Sequence, residues 1–131
     1  MAVLMLLLCG CSVHTSMNVK NNTGKTIEVF SHHTGKLTTI KPNESKNIEH
    51  TMGAVSITLE DGVEWDYTNI SIPDMQDAEY KKVGFKNLFS SKVTVYLMLD
   101  SDGRIFIQTV NPNRESINIK SQPKGFPLIP K

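Results

Sequence analysis

Ala54-Val55-Ser56-Ile57-Thr58-Leu59-Glu60-Asp61-Gly62-Val63-Glu64-Trp65-Asp66-Tyr67 is the stretch on which the fold turns. Its first half alternates strictly, with Val55, Ile57 and Leu59 on one face and Ser56, Thr58 and Glu60 on the other. Successive side chains of a strand point to opposite faces, so a period of two marks a strand with one side buried. Asp61-Gly62 then reads as a tight hairpin turn, because glycine adopts positive φ without steric cost. Beyond it Val63, Trp65 and Tyr67 line one face opposite Glu64 and Asp66, so the second arm repeats the pattern of the first.

The same pattern runs outward in both directions. Upstream, Met17 to Asn21 leads into a turn at Asn22-Thr23-Gly24, and Lys25 to Ser31 alternates Ile27 and Val29 against Thr26 and Glu28. His33-Thr34-Gly35 turns the chain into Lys36 to Ile40, and Lys41-Pro42-Asn43-Glu44 turns it again into Ser45 to His50. Downstream, Val93, Val95, Leu97 and Leu99 share a face, and Tyr96 and Met98 on the other side predict a central strand buried on both. Ser101-Asp102-Gly103-Arg104 makes a hairpin into Ile105 to Val110, and Ser116 to Ile119 is a short last strand. Strands punctuated by Gly, Asn, Asp and Pro every roughly 8–12 residues, without a βαβ period, predict an all-β chain. The expected architecture is a single β-sandwich of about eight or nine mostly antiparallel strands, with a small β-barrel as the alternative. Val55, Ile57, Leu59, Trp65, Val93, Val95, Leu97, Leu99, Ile105 and Ile107 are the expected core.

Composition narrows the function classes. A net charge of +1 offers no bulk electrostatic case for nucleic acid. Phosphate-loop, nucleophile-elbow and His-Glu-x-x-His motifs are missing, so no enzymatic constellation is expected. His32-His33 could join His50 around a metal, but neighbouring strand residues face opposite ways, which favours solvated turn histidines and no metal. Asn21-Asn22-Thr23, Asn43-Glu44-Ser45 and Asn69-Ile70-Ser71 match the glycosylation triplet. Trp65 and Tyr67 could stack sugars, although their alternation points them to the core.

The N-terminus carries the localising signal. Ala2 to Leu8 is an unbroken apolar run, no Lys or Arg appears before Lys20, and Leu8-Cys9-Gly10-Cys11 follows. That order resembles a bacterial lipobox: an aliphatic residue, two small residues, then the cysteine that is acylated. The resemblance covers residues 1–12 and implies a signal peptide over 1–10, lipid on Cys11 and a short tether over 11–17. Length and the strand pattern make residues 18–131 the expected single β-sandwich domain. With Ser12 next, the resemblance implies sorting to the cell outer membrane. The apolar run is far shorter than the roughly 20 residues of a spanning helix. Two or more acyl chains give a stable anchor where one gives marginal binding. Apart from that covalent lipid, no cofactor is expected.

Charge is segregated once. Glu60, Asp61, Glu64, Asp66, Asp74, Asp77 and Glu79 come without a base between them, and Lys81, Lys82, Lys86 and Lys92 follow without an acid. Ordinary solvent-facing positions explain most of this. The longest stretch without a strand pattern follows Pro73, so Asp74, Asp77 and Glu79 are the candidate partner-binding residues, expected on a loop away from the anchor. The apolar tail Gly125 to Pro130 must also be covered, most simply along a sandwich edge. The expected function is a membrane-anchored lipoprotein acting by protein–protein contact at the cell envelope, as an assembly, pilot or exclusion factor. The alternative is a lipoprotein that inhibits a periplasmic enzyme or binds a small ligand.

Overall fold

A computed structural model describes residues 14–49, 53–70, 92–110, 116–118, 122 and 125–131 of the chain. The strands are β1 (His14–Asn22), β2 (Ile27–Ser31), β3 (Lys36–Ile40), β4 (Ser45–Glu49), β5 (Gly53–Leu59), β6 (Glu64–Ile70), β7 (Lys92–Asp100), β8 (Ile105–Val110) and β9 (Ser116–Asn118). They form two open sheets, one ordered β4-β1-β7-β8-β9 and the other β3-β2-β5-β6. The chain is therefore an all-β sandwich and not a closed barrel. Every pairing is antiparallel except β1 with β7, which run parallel from His14↔Lys92 to Asn22↔Asp100.

The alternating faces meet as one core. Val55, Ile57 and Leu59 of β5 are buried together with Val95, Leu97 and Leu99 of β7 and Ile105 and Ile107 of β8. β7 is the middle strand of its sheet, and its outward side is covered too: Met98 is buried and Tyr96 half-buried. Three expectations shift. β1 begins at His14, upstream of the expected start near Asn18, because its first residues pair with β7. Val63 is 43% exposed because it closes the turn before β6 begins at Glu64. Trp65 lies on an edge strand and is only partly buried, packed against the rim of the core. The side chain of Val93 lies outside the described residues.

The two Asp-Gly turns share one construction. Gly62 N–H donates to Leu59 C=O at 2.9 Å and Leu59 N–H to Val63 C=O at 2.8 Å. Gly103 N–H likewise donates to Asp100 C=O at 3.0 Å and Asp100 N–H to Arg104 C=O at 2.9 Å. Only the glycines, Gly62 at φ +88° and Gly103 at φ +84°, carry positive φ, so each loop is a type I turn closed by a glycine bulge, not a two-residue turn. The Asp61 carboxyl, held by Lys25 and the Val63 N–H, lies below the usual carboxylate range, and that of Asp102 is lowered likewise, first by the Arg104 N–H. A depressed folded pKa contributes stability above the ordinary value, near pH 4, that is lost as pH falls through the folded one.

Asn21, fully buried, fastens the β1–β2 turn at the same end. Its side-chain amide donates to the Lys25 carbonyl at 2.7 Å and the Ile40 carbonyl at 3.0 Å. Its side-chain oxygen accepts from the Thr23 N–H at 3.0 Å and the Thr23 hydroxyl at 2.7 Å. The triplet Asn21-Asn22-Thr23 is thus a structural turn, and the Asn21 amide has no access to a modifying enzyme. Asn21→Ala strips partners from buried carbonyls and should cost about 2–3 kcal/mol in denaturant melts; a loss under about 0.5 kcal/mol would show that water replaces the amide.

Candidate functional site

Cys11, Asp74, Asp77 and Glu79 lie outside the described residues. Their chain attachments do not. Ile70 and Lys92, which flank residues 71–91, end β6 and begin β7 on the side of the sandwich where β1 starts. Residues 71–91 therefore connect the two sheets between strand ends that lie where β1 starts.

What the described residues bring together is a polar array on the outer face of the four-stranded sheet. Ser56 and Asp66 are register partners across β5 and β6, and Phe30 faces Ser56 from β2. His32, two residues past Phe30, keeps the same outward side as its N–H donates to the Ala54 carbonyl at 3.1 Å. Its Nε2 lies 2.7 Å from Ser56 Oγ, which donates at 2.6 Å to Asp66 Oδ1. The Phe30 ring meets the imidazole edge-on at 5.0 Å between centroids.

Proton counting fixes what this array can do. The Ser56 hydroxyl has one proton and gives it to Asp66, so His32 Nε2 must carry the proton of the other bond. An activated serine needs the reverse, an imidazole that accepts its proton and is oriented by the carboxylate. Here serine sits between the other two and bridges them, so the array orders a surface and does not prime a nucleophile. Among the described residues no three His, Cys, Asp or Glu groups are gathered as for a metal ion.

Sequence reasoning missed this array because its members come from three strands, and only register joins them. One signal was present: Ser56 and Asp66 stand five residues either side of Asp61, the centre of the predicted hairpin.

A second feature is the covered tail. Leu128 bridges Ile105 of β8 through two backbone bonds of 2.9 and 3.0 Å, and Lys131 N–H donates to the Asp66 carbonyl at 3.0 Å. The tail thus crosses from one sheet to the other, with Phe126 and Leu128 packed against the core as an edge cover. Trp65 faces Gly103 and Pro130 beneath it, so its ring is not a free sugar platform. Burial, then the Asp102 charge, pushes the Tyr67 phenol above its ordinary pKa, leaving it to donate to the Gly103 carbonyl at 2.6 Å.

One strand edge is protected and its side chains are not. Lys46 of β4 donates to the Thr39 carbonyl of edge strand β3 at 2.7 Å, which blunts further strand pairing. Leu37 on the same strand is 58% exposed and pairs in register with half-buried Phe30.

No family model and no curated protein sequence matches the chain. Among solved structures it is similar to the NMR structure of a protein from Eubacterium rectale, 18% identical over 76% of this chain and 93% of that one, with a TM-score of 0.35. The functional reading rests on this chain's own residues.

Proposed function

We propose that the chain is a lipoprotein, acylated on Cys11, that acts by protein–protein contact at the cell outer membrane as an assembly, pilot or exclusion factor. The Leu8-Cys9-Gly10-Cys11 order carries the reading. The start of β1 at His14 supports it by leaving only Ser12 and Val13 between the cysteine and the sheet. At about 3.3 Å per extended residue the sandwich is held roughly 10 Å from the anchored sulfur. No helix among the described residues is long and apolar enough to cross a membrane.

Contact with a partner rather than chemistry fits the bridged array, in which no serine is activated. Two places suit it: the Asp74, Asp77 and Glu79 segment, and the exposed Leu37 beside Phe30 on β3. The experiment is expression in a bacterial host with intact-mass analysis. Loss of residues 1–10 and gain of two or three acyl chains are expected, and Cys11→Ser should move the protein to the soluble fraction. Unchanged mass and membrane retention in that variant would overturn the reading. Pull-down of the acylated protein, wild type against Leu37→Lys, then assigns the contact: a partner lost with Leu37→Lys places it on β3.

A further inference from the structure

The two Asp-Gly turns are a matched pair set in different surroundings. In each, a glycine at positive φ follows the aspartate, and its N–H is tied to the carbonyl three residues back. The carboxylates are held in similar ways, that of Asp61 by Lys25 and the Val63 N–H, that of Asp102 by the side chain and N–H of Arg104. Gly62, however, is exposed, and a Cβ placed on it would meet nothing within 4 Å. Gly103 is buried: Trp65 and Pro130 close over it, its carbonyl accepts the Tyr67 hydroxyl at 2.6 Å, and the tail carrying Pro130 is bonded at Leu128 and Lys131.

We propose that Asp61-Gly62 is a site of spontaneous covalent modification, at which the chain converts to a β-aspartyl linkage with water as the only co-reactant, while Asp102-Gly103 is protected. In the first step the Gly62 amide nitrogen attacks Cγ of the Asp61 carboxyl group in its acid form. The N–Cγ bond forms, the bond from Cγ to the hydroxyl oxygen breaks, and the amide proton leaves with that hydroxyl as water, closing a five-membered succinimide. In the second step water adds to the Asp61 main-chain carbonyl, and the bond from that carbonyl to the Gly62 nitrogen breaks. The main chain then runs through Cγ, and the former main-chain carbonyl becomes a free carboxylate. One water is lost and one regained, so nothing is oxidised or reduced and the mass is unchanged.

Two physical requirements act on the turns. The glycine nitrogen must leave its hydrogen bond and reach the carboxyl carbon, and the lack of a Cβ beside it makes that approach easy. Both Asp-Gly pairs meet this requirement once the chain is unfolded. The product also adds one carbon to the main chain, so the turn needs room to grow. Gly62 has that room, whereas at Gly103 a single added Cβ lies 2.9 Å from Pro130 Cγ and from Trp65 Cε2. Moving Gly103 therefore requires releasing the tail, and segments held by buried packing and backbone bonds open far less often than an exposed turn. Because Asp61-Gly62 joins β5 to β6, lengthening it acts on the arms that hold Ser56 against Asp66.

The test incubates the full chain for several weeks, folded and in parallel unfolded in urea, at mildly acidic pH where the acid form of the carboxyl is more populated. Trp65 fluorescence verifies the folded sample throughout. Peptide mapping with electron-transfer fragmentation then separates β-aspartyl from ordinary linkages of equal mass. In the folded chain, conversion at residue 61 should exceed that at residue 102 by about tenfold or more, since at least two backbone bonds of the tail must open at the second site. In urea the two sites should convert at similar rates. Gly62→Ala should slow conversion at residue 61 by about tenfold, because a Cβ then hinders the attacking nitrogen. Equal conversion at both sites in the folded chain, or none at residue 61, would overturn the proposal.

Discussion

Gly103→Ala is expected to cost about 3 kcal/mol or more, well beyond the same change at Gly62. Both glycines close identical turns at nearly equal positive φ, so both alanines meet the same backbone strain, of order 1 kcal/mol. Around Gly62 a new Cβ meets nothing within 4 Å, whereas at Gly103 it would lie 2.9 Å from Pro130 Cγ and 2.9 Å from Trp65 Cε2. Neither ring can swing freely, because Trp65 packs against the core and the tail carrying Pro130 is bonded on both sides of it, at Leu128 and Lys131. Overpacking of this kind adds about 1–3 kcal/mol. Urea melts followed by Trp65, the chain's single tryptophan, give both values in one assay. Equal losses at the two glycines would mean that the tail lifts away and does not clamp the turn. Tyr67→Phe, which removes only the bond to the Gly103 carbonyl, should cost about 1 kcal/mol.

Leu97→Ala is expected to destabilise by about 2–5 kcal/mol, since it removes a fully enclosed side chain from the central strand of the larger sheet. Leu97 is 1% exposed and pairs in register with Val19 of β1 on one side and Ile107 of β8 on the other, both buried. A strand paired on both sides and packed across the sandwich cannot relax far to fill the hole. Val63→Ala, at an exposed turn residue, should stay within about 0.5 kcal/mol. A Leu97→Ala loss as small as that would contradict the placement of β7 at the centre.

Strands were legible because their evidence is local. The alternation in β5, β7 and β8 is written in consecutive residues, and the turn residues Gly62 and Gly103 stand where the chain reverses. Central placement of β7 was legible for the same reason, as Tyr96 and Met98 make it apolar on both faces. The lipobox resemblance is likewise carried by a run of adjacent residues. Neighbour order was not legible. β1 and β7 are separated by most of the chain, and nothing in either says that they lie parallel. Nor did anything near His32 announce Ser56 and Asp66 as its partners.

By itself, then, the sequence determined the fold class, the turns, the buried faces and the lipobox resemblance, because each depends on side-chain periodicity or on contiguous chemistry. Only the tertiary structure decided the sheet order, the His32–Ser56–Asp66 array, and the clamp of Trp65 and Pro130 on Gly103. Those depend on which strands become neighbours and in what register. That choice is made by the collective packing of two faces, which no short stretch of residues encodes.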